Sequence, residues 1–248
     1  MKKTESFLTV ESLMDLCRQS CEGTGGRYDE NEQFFVYENF PKACWYSRLH
    51  VFDAPRDVAF LIHLADLCSA PTSPKMLSFN QEDVYEGFAK DLEATGFVLA
   101  KPQKGMLYDL TTAPDYDAVE EIRRIGPEEI ETWSKTCAEG FGNEAYPEQY
   151  RVQMQFDRDI FYGYFLDGKM VGTNHLNLCG KNAGIHEVST LPDYRGRGIA
   201  TKLMQQAIRD AKKAGCTIMS LQASVYGEPV YKKLGFRVVN HIFNYKRG

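Results

Sequence analysis

Between residues 159 and 222 the spacing of apolar side chains switches from two to 3.6 and back to two, and this switch limits the fold more than any other feature of the chain. The run from Asp159 to His175 reads as two strands joined by Asp167-Gly168, a pair whose residues both tolerate positive φ and so favour a tight hairpin. A third strand, Ile185 to Thr190, follows the turn at Lys181 to Gly184. From Gly198 to Ala214 the residues Ile199, Leu203, Ala207, Ile208 and Ala211 recur at helical spacing, with Lys202, Gln205, Arg209, Lys212 and Lys213 on the other side. Gly215 supplies the stop, and Cys216 to Gln222 alternates again as a strand. Strand, helix and strand at this length predict a right-handed crossover and a parallel strand pair.

The 248 residues suffice for one large domain or for two of roughly 100 to 150 residues each. The best linker candidate is Thr111-Thr112-Ala113-Pro114-Asp115, which predicts units at 1–117 and 118–248. With 34 Asp plus Glu against 29 Lys plus Arg, the charge of -5 argues against a chain that coats nucleic acid or anionic membrane. The most apolar run, Val58 to Cys68, is broken by His63 and Asp66 and falls short of the roughly 18 apolar residues of a membrane span. Met1-Lys2-Lys3 imitates the start of a signal peptide, but Glu5 and Glu11 interrupt the apolar core that should follow, so a cytoplasmic protein is expected. The seven cysteines (17, 21, 44, 68, 137, 179, 216) are scattered without a Cys-x-x-Cys pair and suggest neither disulfides nor a metal site. Cys17 and Cys21 belong on the buried face of a helix near Thr9 to Ser20.

Leu191 to Ala200 lies between the third strand and the amphipathic helix. Its glycines let backbone approach a ligand, and the open amides at the helix start, with Arg195 and Arg197, suit an anion such as a pyrophosphate. It is neither a Walker loop nor a dinucleotide fingerprint, since Gly-Lys-Ser/Thr and the three-glycine spacing are both missing. About thirty residues on stands Tyr231-Lys232-Lys233-Leu234-Gly235-Phe236.

These two motifs, in this order and separated by helix and strand, resemble those of the GNAT superfamily of acyl-CoA-dependent N-acyltransferases. The family's pyrophosphate motif, Gln or Arg, two residues, Gly, one residue, Gly or Ala, stands here as Arg195 to Ala200, and its closing Tyr-x-x-Leu-Gly-Phe as Tyr231 to Phe236. The resemblance covers roughly the second half of the chain. It implies a mixed α+β fold with a mostly antiparallel sheet, flanked by helices and opened by a splayed parallel pair at its centre. It further implies acetyl-CoA as acyl donor, an amine as acceptor, no metal, and direct attack of the amine on the thioester. Oligomeric state is left open.

By that resemblance the backbone of Val188, Ser189 and Thr190 pairs with the pantetheine arm, and Arg195, Gly196, Arg197, Gly198, Ile199 and Ala200 hold the pyrophosphate. Tyr231 is the family acid that protonates the departing thiolate; an ordinary phenol is less acidic than a thiol by roughly 2 kcal/mol, so local tuning, with Lys232 or Lys233 contributing, is expected. Glu187 is the candidate base, ranked above its neighbour His186. The chain departs from the family at Ser224, where many members have an Asn that contacts the arm; the Ser hydroxyl can replace one such bond. His175 and Asn177 alternate on the hairpin strand, facing either the acceptor or solvent. The rival reading is a non-catalytic acyl-CoA binding or sensing protein.

A shift of 139 residues places Leu92 to Val98 on Tyr231 to Arg237, Arg56 on Arg195, and an apolar helix at Val58 to Leu67 on the helix after Arg197. Two readings follow: a second, degenerate GNAT-like unit over residues 1–117, or an unrelated α+β domain. In the first, Asp57 and Ala59 replace Gly196 and Gly198, and Leu92 replaces the acid Tyr231, so this half would bind no CoA.

Overall fold

A computed structural model describes residues 4–31, 34–38, 47–52, 54–68 and 76–247; Cys44 lies outside them. The strands are β1 (Arg27–Glu30), β2 (Phe34–Glu38), β3 (Arg48–Val51), β4 (Met76–Asn80), β5 (Phe97–Leu99), β6 (Gln103–Asp109), β7 (Ile122–Arg124), β8 (Asp159–Leu166), β9 (Lys169–Cys179), β10 (Asn182–Thr190), β11 (Ile218–Ala223) and β12 (Arg237–Arg247). The helices are α1 (Glu5–Thr24), α2 (Val58–Leu67), α3 (Phe88–Ala94), α4 (Ile130–Phe141), α5 (Pro147–Gln153), α6 (Ile199–Lys213) and α7 (Glu228–Lys233). Among the described residues all strands join one sheet in the order β1-β2-β3-β4-β12-β6-β11-β10-β9-β8-β7, with β5 beside β12. Its pairs are antiparallel except β3 with β4 and β10 with β11. Each of these parallel pairs is joined through a helix, α2 in the first case and α6 in the second.

The hairpin expected at Asp167-Gly168 forms between β8 and β9, with φ of 49° and 76° at the two turn residues. After α4, Pro147 stands in the first turn of α5, where its missing N–H costs nothing. The first helix is longer than Thr9 to Ser20: Thr4 caps it by accepting from the Phe7 N–H, and Gly25 closes it at φ 70°.

Helix α6 packs Leu203, Met204, Ala207 and Ile208 against Val171, Ile185, Met219 and Leu221 on one face of the sheet. On the other face α1, α4 and α5 bring Leu13, Leu16, Cys17, Trp133, Cys137 and Tyr150 against Phe161 and Met170, and Phe35 and Tyr37 of β2 join the same cluster. The middle of α1 is therefore buried almost all round. Two glycines let it lie this close. A Cβ on Gly184 would overlap the Ser12 hydroxyl, and one on Gly105 would overlap Asn240 and crowd Thr9.

The two halves of the chain share strands. β6 precedes the linker, yet it pairs with β11 on one side and β12 on the other, Met106 facing Leu221 across one ladder and Val238 across the next. β12 in turn leaves β6 after Ile242 and continues along β4 and β5. A fragment of residues 118–248 lacks β6 and exposes the inner edges of both β11 and β12. We predict that it shows no cooperative thermal transition by circular dichroism, whereas a native-like melt of that fragment would contradict this strand sharing.

Candidate active site

The parallel pair β10 and β11 holds its register only from Asn182–Ile218 to Ile185–Leu221. Beyond it the strands part, while each keeps its outer neighbour: β10 pairs with β9 through Ser189–Thr173 and Thr190–Gly172, and β11 with β6 through Gln222–Gly105 and Ala223–Lys104. Inner backbone groups of residues 186–190 thus face an opening. Backbone amides and carbonyls in such a place need partners from outside the sheet.

The parting coincides with a bulge in β10. Between His186 and Ser189 the ladder gains one residue relative to β9, and Glu187 takes φ 54°, a left-handed conformation that costs a non-glycine residue about 1–2 kcal/mol. The Thr173 hydroxyl donates to the Glu187 carbonyl at 2.9 Å and lies 2.9 Å from the Ser189 hydroxyl, stitching across the bulge. The Cys137 thiol of α4 donates to the Glu187 carboxylate at 3.3 Å. Burial pushes the Cys137 thiol well up, with the Glu187 charge adding to it, so it stays protonated. Val188, the next residue, packs on the opposite, α6-side cluster that contains Tyr231.

At the end of β10, Gly196 and Gly198 have φ of 74° and 77°, with open space where a Cβ would stand. Gly198 begins α6 without any side-chain cap, so the first amides of a 15-residue helix remain open toward the parted strands. The two arginines also bond carbonyls of this protein. Arg195 donates to the Gly140 carbonyl at 2.7 Å and the Thr190 carbonyl at 3.3 Å, pinning α4 to the end of β10. Arg197 donates to the Asp193 carbonyl at 3.1 Å and lies over the Tyr194 ring, 5.1 Å from its centre. What this turn offers a pyrophosphate is chiefly backbone: amides, glycine space and the helix end.

Tyr231, on α7, is buried, and no hydrogen bond to its hydroxyl occurs among the described residues. Burial pushes its phenol up rather than toward the thiol range. Of the two neighbouring lysines, Lys232 pairs with Glu228 at 2.7 Å. The Ser224 hydroxyl accepts from the Gly227 N–H at 3.2 Å and so serves the turn that starts α7. Its O–H remains able to donate.

His175 and Asn177 face neither solvent nor an opening. Both are fully buried beneath α1, His175 bonded to Asp159 at 2.7 Å and Asn177 to Asp159, Asp15 and Ser12. Ser12 also meets His186 at 2.8 Å. The sequence gives no sign of this because the covering helix lies more than 150 residues away. In the first half, β3 and β4 stay paired to Val51–Phe79, and Asp57 caps α2 by accepting from the Ala59 N–H at 2.9 Å. Among the described residues no cluster of side chains could hold a metal ion, and no helix is long and apolar enough to cross a membrane.

Two imidazoles are held neutral. Burial, with Arg48 adding to it, takes His50 down to about 3, and burial takes His186 well down, with His175 and Arg48 adding to it. Both folded-state values lie below the unfolded one, so their contribution is complete above the unfolded pKa near 6.5 and is lost as pH falls. Stability is predicted to drop between pH 6.5 and 5 by up to about 1.4 kcal/mol per unit for each histidine. Thermal melts of His50→Phe should show a flatter acid limb; an unchanged slope contradicts the burial of a neutral His50.

Residues 127–236 match the model of the acetyltransferase (GNAT) family. An uncharacterized N-acetyltransferase of Methanocaldococcus jannaschii is 40% identical over 97 residues, 35% of this chain and 43% of that protein. One from Streptomyces griseus is 28% identical over 128 residues, 47% of this chain and 30% of the other. The chain thus spans less than half the length of these curated relatives. Among solved structures, a GCN5-related N-acetyltransferase from Kribbella flavida superposes with a TM-score of 0.68 at 15% identity over 94% of both chains. Another from Sphaerobacter thermophilus gives 0.61 at 15% identity, over 98% of this chain and 93% of its own. The likeness of fold therefore reaches into the first half as well.

Proposed function

Since residues 127–236 form a domain of the GNAT acetyltransferase family, we propose that the chain transfers an acetyl group from acetyl-CoA to a primary amine by direct attack on the thioester. The observation that carries this reading is the parting of β10 from β11 beside the uncapped start of α6. That opening fits the donor: unpaired backbone for an amide-bearing arm, and a helix end with glycine space for a pyrophosphate. When bound there, the donor supplies an activated thioester carbonyl.

In this reading the backbone of Val188, Ser189 and Thr190 pairs with the arm, and one of these N–H groups donates to the carbonyl oxygen as charge develops on it. Gly196, Gly198, Ile199 and Ala200 hold the pyrophosphate through backbone, with Arg197 at its rim. Arg195 acts by fixing the turn to α4. Ser224 donates to the arm. Glu187 takes the amine proton directly or through a water, from the α4 side of the sheet. Tyr231 gives its proton to the departing thiolate from the α6 side; burial keeps the phenol protonated through neutral pH, and the same desolvation disfavours the thiolate that must accept the proton. The first half binds no CoA, since Asp57 fills the start of α2 and its strand pair stays closed. We place the protein in the cytoplasm, acting on a small or peptidic amine.

Calorimetric titration with acetyl-CoA tests the donor site. Gly198→Asp, which sets a carboxylate before the α6 amides, is expected to weaken binding about 100-fold, or about 3 kcal/mol, with the melting temperature kept within a few degrees. Equal affinity would overturn the placement. Tyr231→Phe should lower turnover about 10- to 1,000-fold in an amine screen for released CoA, leaving donor affinity unchanged. Full turnover in that variant removes Tyr231 as the acid.

A further inference from the structure

The bulge that carries Glu187 is met from α4 by two residues one turn apart. Gly140 approaches so closely that a Cβ would lie 2.6 Å from the Ser189 hydroxyl, and Cys137 gives its thiol proton to the Glu187 carboxylate at 3.3 Å. Arg195 locks this register by bonding the Gly140 carbonyl. From β9, Thr173 holds the Glu187 carbonyl and the Ser189 hydroxyl. The Cys137 sulfur, only 2% exposed at the residue level, is reached also by the Thr173 and Tyr150 hydroxyls.

We infer that Cys137 and Thr173 are positioning residues that clamp Glu187: Thr173 holds the strained backbone, and the protonated Cys137 thiol fixes one oxygen of the carboxylate for proton transfer. This rests on the reading of Glu187 as the base. The chemistry of the donor explains why a thiol stands here. A lysine or arginine at this distance would hold the carboxylate as well, but its charge would lower the carboxyl pKa by about 1–3 units and weaken the base. A neutral thiol is a weak donor, so it orients the carboxylate while leaving most of its basicity. Burial supports this role by keeping the thiol protonated. The other titratable groups at this point are Tyr150 of α5, through the same sulfur, and the neutral His186 beside Glu187 on β10.

The contact is read without an acceptor from the infrared S–H stretch, isolated as the difference between the native protein and Cys137→Ala. In Glu187→Gln this band is expected to move to higher frequency, as an S–H loses a charged acceptor. In the amine assay, Cys137→Ala and Thr173→Val are each expected to lower kcat about tenfold with acetyl-CoA affinity unchanged, and Cys137→Ser, which keeps a donor, to recover to within about threefold of native. An unmoved band in Glu187→Gln overturns the clamp whatever the activity. A moved band with native kcat in Cys137→Ala also overturns it, as a contact that positions nothing. Full turnover in Glu187→Gln is a different result: it removes the base assignment under the proposed function, even where the infrared contact is present. Loss of kcat that Cys137→Ser does not recover marks a packing effect and rejects the positioning role.

Discussion

The loss of pairing between β10 and β11 after Ile185–Leu221 is the constraint on which the rest depends. Opening a sheet at its centre leaves backbone groups without partners, and a sheet opened in this way would ordinarily close or fray. Here neither strand can follow the other. β9 holds the outer edge of β10 as far as Thr190, and β6 holds the outer edge of β11 as far as Ala223. The bulge at Glu187 turns β10 away, and the stitch from Thr173 keeps it turned. The opening is therefore built from both sides, and the side opposite the bulge depends on a strand contributed by the first half of the chain.

That dependence gives the first half a structural role independent of any binding. β6 separates β11 from β12, and α1 seals the face beneath β9, β10 and β11 with a buried polar network in which Asp15 accepts from Arg158, Gln19 and Asn177. A helix buried nearly all round cannot rely on apolar contact alone when the sheet beneath it presents Asn177 and His186; its own Ser12 and Asp15 supply their partners, while His175 bonds Asp159 of β8. The parallel pair β3–β4, with α2 between its strands, has the order of β10–β11 with α6, but stays closed.

Much of the second half was legible because its signals are local. The Asp167-Gly168 turn, the stripe of α6 and Gly198 before its first turn each follow from local spacing, the crossover to β11 from the order of strand, helix and strand around that stripe, and each stands where expected. The extra residue in β10 was not legible: alternation predicts that Glu187 and Val188 face opposite ways, which they do, but gives no sign of a positive φ at a glutamate. The bonds of Arg195 were not legible either, because a Gly-Arg-Gly turn says nothing of the Gly140 carbonyl more than fifty residues upstream. The burial of His175 and Asn177 and the place of β6 between β11 and β12 were not legible for the same reason, being set by partners distant in sequence.

In the proposed function the parted strands are where the chain receives its donor. Hydrogen exchange read by mass spectrometry, with and without acetyl-CoA, tests it most directly, since an arm that pairs with β10 must protect its amides. New protection is expected only in peptides covering residues 186–190 and 196–201, with the amides of β3 and α2 unchanged. Protection in β3 and α2 instead, or none anywhere at saturating donor, would contradict it.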